Sequence, residues 1–260
     1  MSASRKTLTS RLAAACIGVA ALIPLLTRSG YIHAAEVKVL SGNGAKAAIT
    51  ELAARFEQAT GHKVSLHFEV NPAVRKRIEG GEAFDVAVLN PPVLDALIAL
   101  GRVTGGSRAV FGRSGIGMAV RTGAPKPDIT TVEGFKSALL NAKSVAYPGE
   151  GASGKYFEKV VERIGIAAQM KATMRPMPAE TTVEVVARGD VDMVVVVASR
   201  IAGVDGVDVV GPIPEGLQTW IGFAAGVSSG TREREASSAF VQFLAAPTAT
   251  PVLKAFGVER

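Results

Sequence analysis

Short apolar segments alternate with helix-type patterns along the chain from Val37 onward, and this alternation limits the possible folds more than any other feature. Residues 37–40 predict a strand, and apolar residues at helical spacing follow it until Gly61. The same order returns with strands predicted over residues 64–70 and 84–89, each followed by a helix. Three strand–helix units in succession predict parallel strands joined by right-handed crossovers.

A second series of strands and helices begins after Gly115. Strands are predicted over residues 116–120, 144–147, 192–198, 207–210 and 220–227, with helices over residues 131–140, 156–164, 232–244 and 248–256. The sequence therefore predicts an α/β protein of two lobes, each a mostly parallel sheet flanked by helices. Extended strands near residues 107–120 and 211–225 carry the chain between them. One lobe then comprises residues 36–114 and 219–260, and the other residues 115–218.

Local signals predict where several helices begin. Asn71-Pro72 and Asn90-Pro91 each match a capping asparagine followed by proline at the first helical position. Thr131 is a third predicted cap. Thr181, with Glu184 three residues later, has the pattern of a capping box.

Residues 1–35 have the layout of a secretory signal peptide. A basic start precedes an apolar run over residues 12–26, which is shorter than the roughly 20 residues of a membrane span. Cleavage is expected near Ala35, so that the mature protein begins at Glu36 and lies in the periplasm. A retained N-terminal anchor is the alternative.

Removing this segment changes what the charge implies. The full chain has a formal net charge of +6, and residues 1–35 carry four cations and no acid, which leaves +2. A nearly balanced mature protein gives no case for nucleic-acid binding. The single cysteine, Cys16, lies in the removed segment, so no disulfide and no cysteine-held metal are expected. With only three histidines in the chain, no metal site and no cofactor are predicted.

Small polar residues follow the predicted strands at the points where parallel strands end. In open α/β sheets these carboxyl ends form the ligand-binding crevice, and the adjacent helix N-termini favour an anion. Cationic side chains near the same ends add positive charge, and a guanidinium group matches a carboxylate well. The predicted ligand-binding residues are Ser41, Gly42, Asn43, Asn71, Arg75, Asn90, Ser153, Lys155, Thr181 and Arg200.

Several of these residues also have a plain structural interpretation. Capping alone explains Asn71 and Asn90, and an ordinary loop explains Ser153-Gly154-Lys155. No GxSxG, P-loop or HExxH pattern is present. Glu69 and Tyr156 are residue types that transfer protons, but a structural role explains each of them more simply. No catalytic residue is identified from the sequence.

Six stretches of the chain resemble one known family: residues 37–42, 52–57, 77–81, 84–88, 240–244 and 254–257. They are similar to periplasmic substrate-binding proteins of the molybdate-binding type, and the likeness extends from about Val37 to Gly257. The resemblance implies the two-lobed type II periplasmic-binding-protein fold, in which two crossover strands act as a hinge and the lobes close on a ligand. It also implies a small anionic ligand, an inner-membrane ABC permease as partner, and a monomer.

The resemblance is weaker at the ligand than in the fold. Molybdate binders of this family hold the oxyanion with serines and backbone N–H groups of both lobes and with a tyrosine. Ser41 matches the first serine position, but the second position, at residues 70–72, has no hydroxyl, and residues 196–197 at the tyrosine position are valines. Because Arg75, Lys155 and Arg200 offer cations instead, an organic carboxylate is favoured over a compact oxyanion.

Two functions of different classes follow from this resemblance. The first is a periplasmic binding protein that captures a small anion, preferably an organic carboxylate, for ABC-type uptake. The alternative is an enzyme: aconitate isomerase resembles these binding proteins and interconverts cis- and trans-aconitate by an allylic proton shift, which needs cations and a base. A molybdate or sulfate binder with altered contacts is a third interpretation. A titratable group buried in the cleft would favour the enzyme.

Overall fold

The computed structural model describes residues 34–260, so the predicted signal peptide lies outside the described residues except for Ala34 and Ala35. This part of the chain contains nine strands: β1 Glu36–Gly42, β2 Lys63–Glu69, β3 Val86–Leu89, β4 Ala109–Arg121, β5 Val145–Pro148, β6 Met174–Met177, β7 Met193–Val197, β8 Val207–Pro212 and β9 Trp220–Val227. Its helices are α1 Lys46–Thr60, α2 Asn71–Glu79, α3 Pro91–Ala99, α4 Val132–Asn141, α5 Ala152–Arg163, α6 Ala167–Met170, α7 Glu184–Ala187, α8 Arg234–Ala245 and α9 Thr250–Ala255.

The strands form one continuous sheet in the order β2-β1-β3-β9-β4-β7-β5-β6, and β8 pairs with β4. β1 is parallel to both β2 and β3, which confirms the prediction from the three strand–helix units. β5 is parallel to β6 and β7. β9 is antiparallel to β3, so the returning chain completes the sheet that the first strands began.

The long strand β4 connects two halves of this sheet. Its residues 109–115 pair with β9, and its residues 116–120 pair with β7. We call β1, β2, β3 and β9 the first half, and β5, β6, β7 and β8 the second half. The return crossing is not one extended strand as predicted, because β8 ends at Pro212 and a short 3-10 turn, Glu215–Leu217, precedes β9. Proline at 212 and 214 favours this break.

The core is formed by the buried faces of the strands and the apolar sides of the helices. All five residues of β7 are buried, as the unbroken apolar run predicts for a strand covered on both faces. In the first half, Phe56 of α1 packs edge-on against Phe240 of α8, with ring centroids 5.2 Å apart. No helix among residues 34–260 is both long enough and apolar enough to cross a membrane.

The helix ends test the local signals of the sequence. Thr131 caps α4 as predicted, since its Oγ1 accepts a hydrogen bond from the N–H of Gly134 at 3.0 Å. The predicted capping box at Thr181 and Glu184 is wrong: α7 begins only at Glu184, and no side chain caps it. β6 and α6 were not predicted, because each has only four residues and β6 contains a proline.

Candidate functional site

A narrow cavity lies where the carboxyl ends of strands from both halves of the sheet meet. Its volume is about 50 Å³, which suits a few water-sized groups. Segments that follow β1, β2 and β3 line it from the first half, and segments around the ends of β5 and β7 line it from the second. The lining residues are Asn43, Gly44, Val70, Asn71, Asn90, Pro148, Gly151, Ala152, Ser153, Val196, Val197, Arg200 and Ile221.

Three helices begin at this cavity. The residues that precede α2, α3 and α5 are Val70, Asn90 and Gly151, and all three line the cavity. No side chain caps any of these helices. The first turn of α5 offers the backbone N–H groups of residues 152–154, and α2 offers that of Asn71. The start of α3 adds only the positive end of its helix dipole, because Pro91 and Pro92 have no N–H and the next two N–H groups bond to Asn90. Such helix starts favour an anion.

Asn71 and Asn90 join the first-half segments to each other instead of capping their helices. The Oδ1 atom of Asn71 accepts a hydrogen bond from the N–H of Asn90 at 2.9 Å. The Nδ2 atom of Asn90 donates to the carbonyl oxygen of Gly222 at 2.8 Å. Asn90 occupies the predicted cap position before Pro91, but its side chain makes no cap bond, and the cap position of α2 is Val70 and not Asn71 as predicted. Tertiary partners take the amide groups that side-chain capping would need.

The loop between β5 and α5 carries a signal that the sequence analysis missed. Residues 149–154 have the spacing GxGxxG, which is typical of loops that bring backbone close to an anion. At Gly154 an added Cβ would lie 1.8 Å from the carbonyl oxygen of Pro148, so only glycine fits there. This close approach packs the start of α5 on the end of β5, and it places Ser153, which is 5% exposed, at the cavity.

Arg200 is the cation at the cavity. It follows β7 in a short 3-10 turn, and only 8% of its surface is exposed. Its Nη2 atom donates to the carbonyl oxygens of Ala179 at 3.2 Å and Glu180 at 3.5 Å, and to Oε1 of Glu184 at 3.4 Å. No carboxylate belongs to the residues that line the cavity. Arg200 is therefore the one charged side chain of the lining, although it is also paired with Glu184. A positive group in the lining favours an anion.

The Arg200–Glu184 pair is incompletely bonded. The Nε atom of Arg200 and the Oε2 atom of Glu184 are both buried, and neither has a hydrogen-bond partner in the described part of the chain. Thr182 also departs from the predicted capping box, because its hydroxyl donates to the carbonyl of Pro178 at 2.7 Å. Glu184 was absent from the predicted ligand-binding residues, since its position in an apparent capping box gave it a local explanation.

Two hydrogen bonds join the halves of the sheet beside the cavity. The Nδ2 atom of Asn43 donates to Oε1 of Glu180 at 2.9 Å, and the hydroxyl of Ser199 donates to the carbonyl of Gly44 at 2.5 Å. Both bonds connect the segment after β1 with segments around α7 and β7. They hold the walls of the cavity together in this closed arrangement.

Five of the predicted residues lie away from the cavity lining. Arg75 is exposed and pairs with Glu79 at 2.7 Å, and Lys155 is exposed and pairs with Glu158 at 3.3 Å. Thr181 is exposed as well. The remaining two, Ser41 and Gly42, lie at the end of β1 and are buried, and the hydroxyl of the serine donates to the carbonyl of the glycine at 3.0 Å. The structure brings together Asn43, Asn71, Asn90, Ser153 and Arg200.

Other titratable groups have partners outside the cavity. Glu69 pairs with Arg77, and the hydroxyl of Tyr156 donates to the carbonyl of Leu217 at 2.9 Å. Glu82 accepts hydrogen bonds from Arg77 and Lys38, which lower the pKa of its carboxyl group to about 2. Among residues 34–260 no three His, Cys, Asp or Glu side chains lie close enough together to hold a metal ion.

A mixed sheet whose two halves meet at a cavity is the fold of solved periplasmic binding proteins. The chain belongs to the family of bacterial extracellular solute-binding proteins, whose sequence model matches residues 37–259. The family assignment and the fold confirm the resemblance found in the sequence.

Among the proteins similar to this chain are two characterised relatives and a solved structure. It is 35% identical over 249 residues to an aconitate isomerase from a Pseudomonas species, covering 92% of this chain and 95% of the relative. It is 26% identical over 235 residues to the molybdate-binding protein of Azotobacter vinelandii, covering 86% and 90%. The solved periplasmic molybdate-binding protein of Azotobacter vinelandii superposes with a TM-score of 0.74 at 18% identity, covering 86% of this chain and 99% of that structure.

Proposed function

We propose that the cavity binds a small organic polycarboxylate and that Arg200 is its main charged contact. The observation that carries this proposal is a buried guanidinium group with a free Nε–H at a cavity whose lining holds no carboxylate. Buried donors are normally paired, so an anionic partner supplied by a ligand explains the free group. The uncapped starts of α5 and α2 add backbone N–H donors, and the start of α3, whose two prolines have no N–H, adds only its helix dipole.

The shape of the donor favours a carboxylate over a tetrahedral oxyanion. A guanidinium group is planar and presents its N–H groups as a fork that matches the two oxygens of a carboxylate. The likeness to molybdate-binding proteins supports the fold, and the 26% identity extends over 86% of this chain. Arg200 is the charged residue of the cavity lining, and it is the feature that favours the organic ligand.

Ligand entry requires the cavity to widen. A volume of about 50 Å³ accepts one carboxylate group but not a whole tricarboxylate. Opening breaks the Asn43–Glu180 and Ser199–Gly44 hydrogen bonds. We propose that residues 115–218 then move as one lobe against residues 36–114 and 219–260, with β4 and the return segment as the hinge.

A ligand screen tests the binding proposal. The mature protein is titrated calorimetrically with citrate, tricarballylate, cis-aconitate, succinate, molybdate and sulfate. Binding of one or more di- or tricarboxylates, with molybdate and sulfate at least about tenfold weaker, is the expected result, and tenfold corresponds to 1.4 kcal/mol. Tight binding of molybdate with no carboxylate binding would overturn the proposal.

The binding proposal implies a role in solute uptake by the cell. We propose that the chain is exported, loses residues 1–35, and delivers its ligand as a monomer to an ABC permease of the inner membrane. Membership in the extracellular solute-binding family supports this role. The intact mass of protein recovered from the periplasm should correspond to a chain that starts at Glu36. A mass that retains residues 1–35 would contradict export with cleavage.

A second candidate function is the isomerisation of aconitate. The 35% identity to an aconitate isomerase over 92% of this chain favours it. The Arg200–Glu184 pair favours it also, because it places a carboxylate with a free oxygen beside the proposed anion contact. Conversion of cis- to trans-aconitate in the presence of the protein, followed by proton NMR, would establish it. Binding of cis-aconitate without conversion would leave the transport function.

A further inference from the structure

The two buried atoms without partners belong to one ion pair. Nη2 of Arg200 contacts Oε1 of Glu184 at 3.4 Å, while Nε of the arginine and Oε2 of the glutamate remain free. Among the described residues no other buried side-chain nitrogen or oxygen lacks a partner. Leaving a buried polar group unpaired destabilises a protein, so two such atoms in one pair indicate a use beyond folding.

Local sequence gives Glu184 an easier alternative. With Thr181 three residues before it, its carboxylate has the spacing to bond the backbone N–H of the threonine in a capping box. The structure does not contain this capping bond, and the carboxylate pairs with Arg200. Functional positions often lack the bond that the local sequence favours and have a less complete one in its place.

We propose that Glu184 is the acid–base residue that moves the allylic proton of a polycarboxylate held by Arg200. The inference rests on the second proposed function, isomerisation. The free Nε–H binds the ligand carboxylate on which negative charge develops. The free Oε2 accepts the proton, as a general base must.

The proton shift balances without a cofactor. Oε2 removes a proton from the ligand methylene group, and the released electron pair forms a new C=C bond to the central carbon. The original C=C pair shifts to the distal carbon, which takes the proton back from Glu184. The product has the composition of the substrate, and the glutamate ends ionised as it began.

The surrounding residues leave Glu184 as the candidate base. The lining residues include no carboxyl, imidazole or phenol group. Glu180 and Glu150 are carboxylates beside the lining, but both are exposed, and Oε1 of Glu180 accepts from Asn43. Glu184 is the one whose free oxygen is buried beside the cavity-lining arginine.

The chain offers a matched control for the test. Glu79 is also paired with an arginine and has the same side-chain exposure as Glu184, 38%, but its partner Arg75 lies outside the cavity. Glu184→Gln, Glu184→Asp and Glu79→Gln are compared with the unaltered mature protein. Proton NMR in deuterium oxide follows both isomerisation of cis-aconitate and deuterium entry at its two terminal allylic carbons, and calorimetry gives the dissociation constant.

The expected result separates catalysis from binding. Glu184→Gln should lower kcat and deuterium exchange at least about 100-fold, the usual share of a general base, while the dissociation constant changes by less than about fivefold. Glu184→Asp should keep measurable exchange, which preserves the test if the glutamine variant does not fold. Glu79→Gln should match the unaltered protein.

Four outcomes would overturn the proposal. A Glu184→Gln variant that keeps more than a tenth of the exchange rate excludes this carboxylate as the base. A rise in KM at unchanged kcat would make Glu184 only a positioning residue for Arg200. If the unaltered protein binds cis-aconitate but never converts it, isomerisation and this inference both fall while carboxylate binding stands. If it binds no carboxylate, the binding proposal falls too.

Discussion

Replacing Arg200 by alanine should weaken carboxylate binding at least tenfold. The variant removes the guanidinium group of the cavity lining, together with its free Nε–H. One hydrogen bond to a charged group contributes about 1.5–3 kcal/mol. At 1.4 kcal/mol for each factor of ten, losing one such bond raises the dissociation constant about 10- to 150-fold, and a forked contact raises it further.

The structure also predicts a loss of stability that must be kept apart from the loss of affinity. Arg200 donates to the carbonyls of Ala179 and Glu180 and to Glu184, over distances of 3.2 to 3.5 Å, and alanine leaves these acceptors without that donor. Calorimetric titration should therefore be run well below the melting temperature of the variant. Arg200→Lys keeps the charge without the planar fork, so we expect an intermediate affinity.

Arg75 provides the control for this experiment. The sequence marks it as a cation near the same strand ends, but its side chain is exposed and pairs with Glu79 at 2.7 Å. Arg75→Ala should leave affinity within about twofold, because exposed ion pairs contribute little. If Arg200→Ala binds the ligand within about threefold of the unaltered protein, or if both alanine variants lose affinity equally, the assignment of Arg200 as the anion contact is refuted.

Three further predictions concern closure, charge and backbone packing. Glu180→Ala removes the acceptor for Asn43, so ligand affinity should fall about 2- to 10-fold, mostly through faster dissociation in stopped-flow experiments. Glu82→Gln should lower the free energy of unfolding by about 1–2 kcal/mol at pH 7, after allowance for solvent screening. Because the folded pKa of Glu82 is about 2, below the ordinary value of 4.5, its stabilisation is present above pH 4.5 and is lost as the pH falls towards 2. Gly154→Ala should destabilise the protein by about 3 kcal/mol in urea unfolding, since a Cβ there would lie 1.8 Å from the Pro148 carbonyl oxygen.

Each of these predictions has a contrary result. An unchanged dissociation rate for Glu180→Ala would mean that its bond to Asn43 does not hold the closed form. A stability difference between Glu82→Gln and the unaltered protein that persists at pH 2 would exclude the ionised carboxylate as its source. Normal stability of Gly154→Ala would mean that the start of α5 can move away from β5.

The sequence predicted the elements with strong periodicity because their patterns are local. The apolar run of β7 and the strand–helix units of the first half needed no knowledge of distant residues. The two missed elements, α6 and β6, have four residues each, which is too short for a period to show. The return crossing was predicted as one strand, since nothing in its local pattern shows that β8 pairs with β4 while β9 pairs with β3.

At the site, the sequence predicted which strand ends and helix starts come together, but it did not predict the direction of every side chain. Strand ends and helix starts are local features, so Asn43, Asn71, Asn90, Ser153 and Arg200 were selected correctly as residues that come together. Arg75 and Lys155 were selected by the same rule, yet their side chains lie outside the cavity and form ion pairs on the surface. The direction in which a helical side chain points, and the partner it contacts, depend on residues far away in sequence.

By itself, the sequence determined an α/β chain with parallel strand–helix units and an anion-favouring set of strand ends, because hydrophobic periodicity and capping chemistry act over a few residues. Only the tertiary structure decided that the side chain of Asn71 bonds the backbone of Asn90 and that the side chain of Asn90 bonds Gly222. It also decided that Glu184 pairs with Arg200 and not within a capping box, and that Asn43 bonds Glu180 across 137 positions. Such contacts exist only after distant strands are aligned in one sheet, where a partner from another element replaces the local bond.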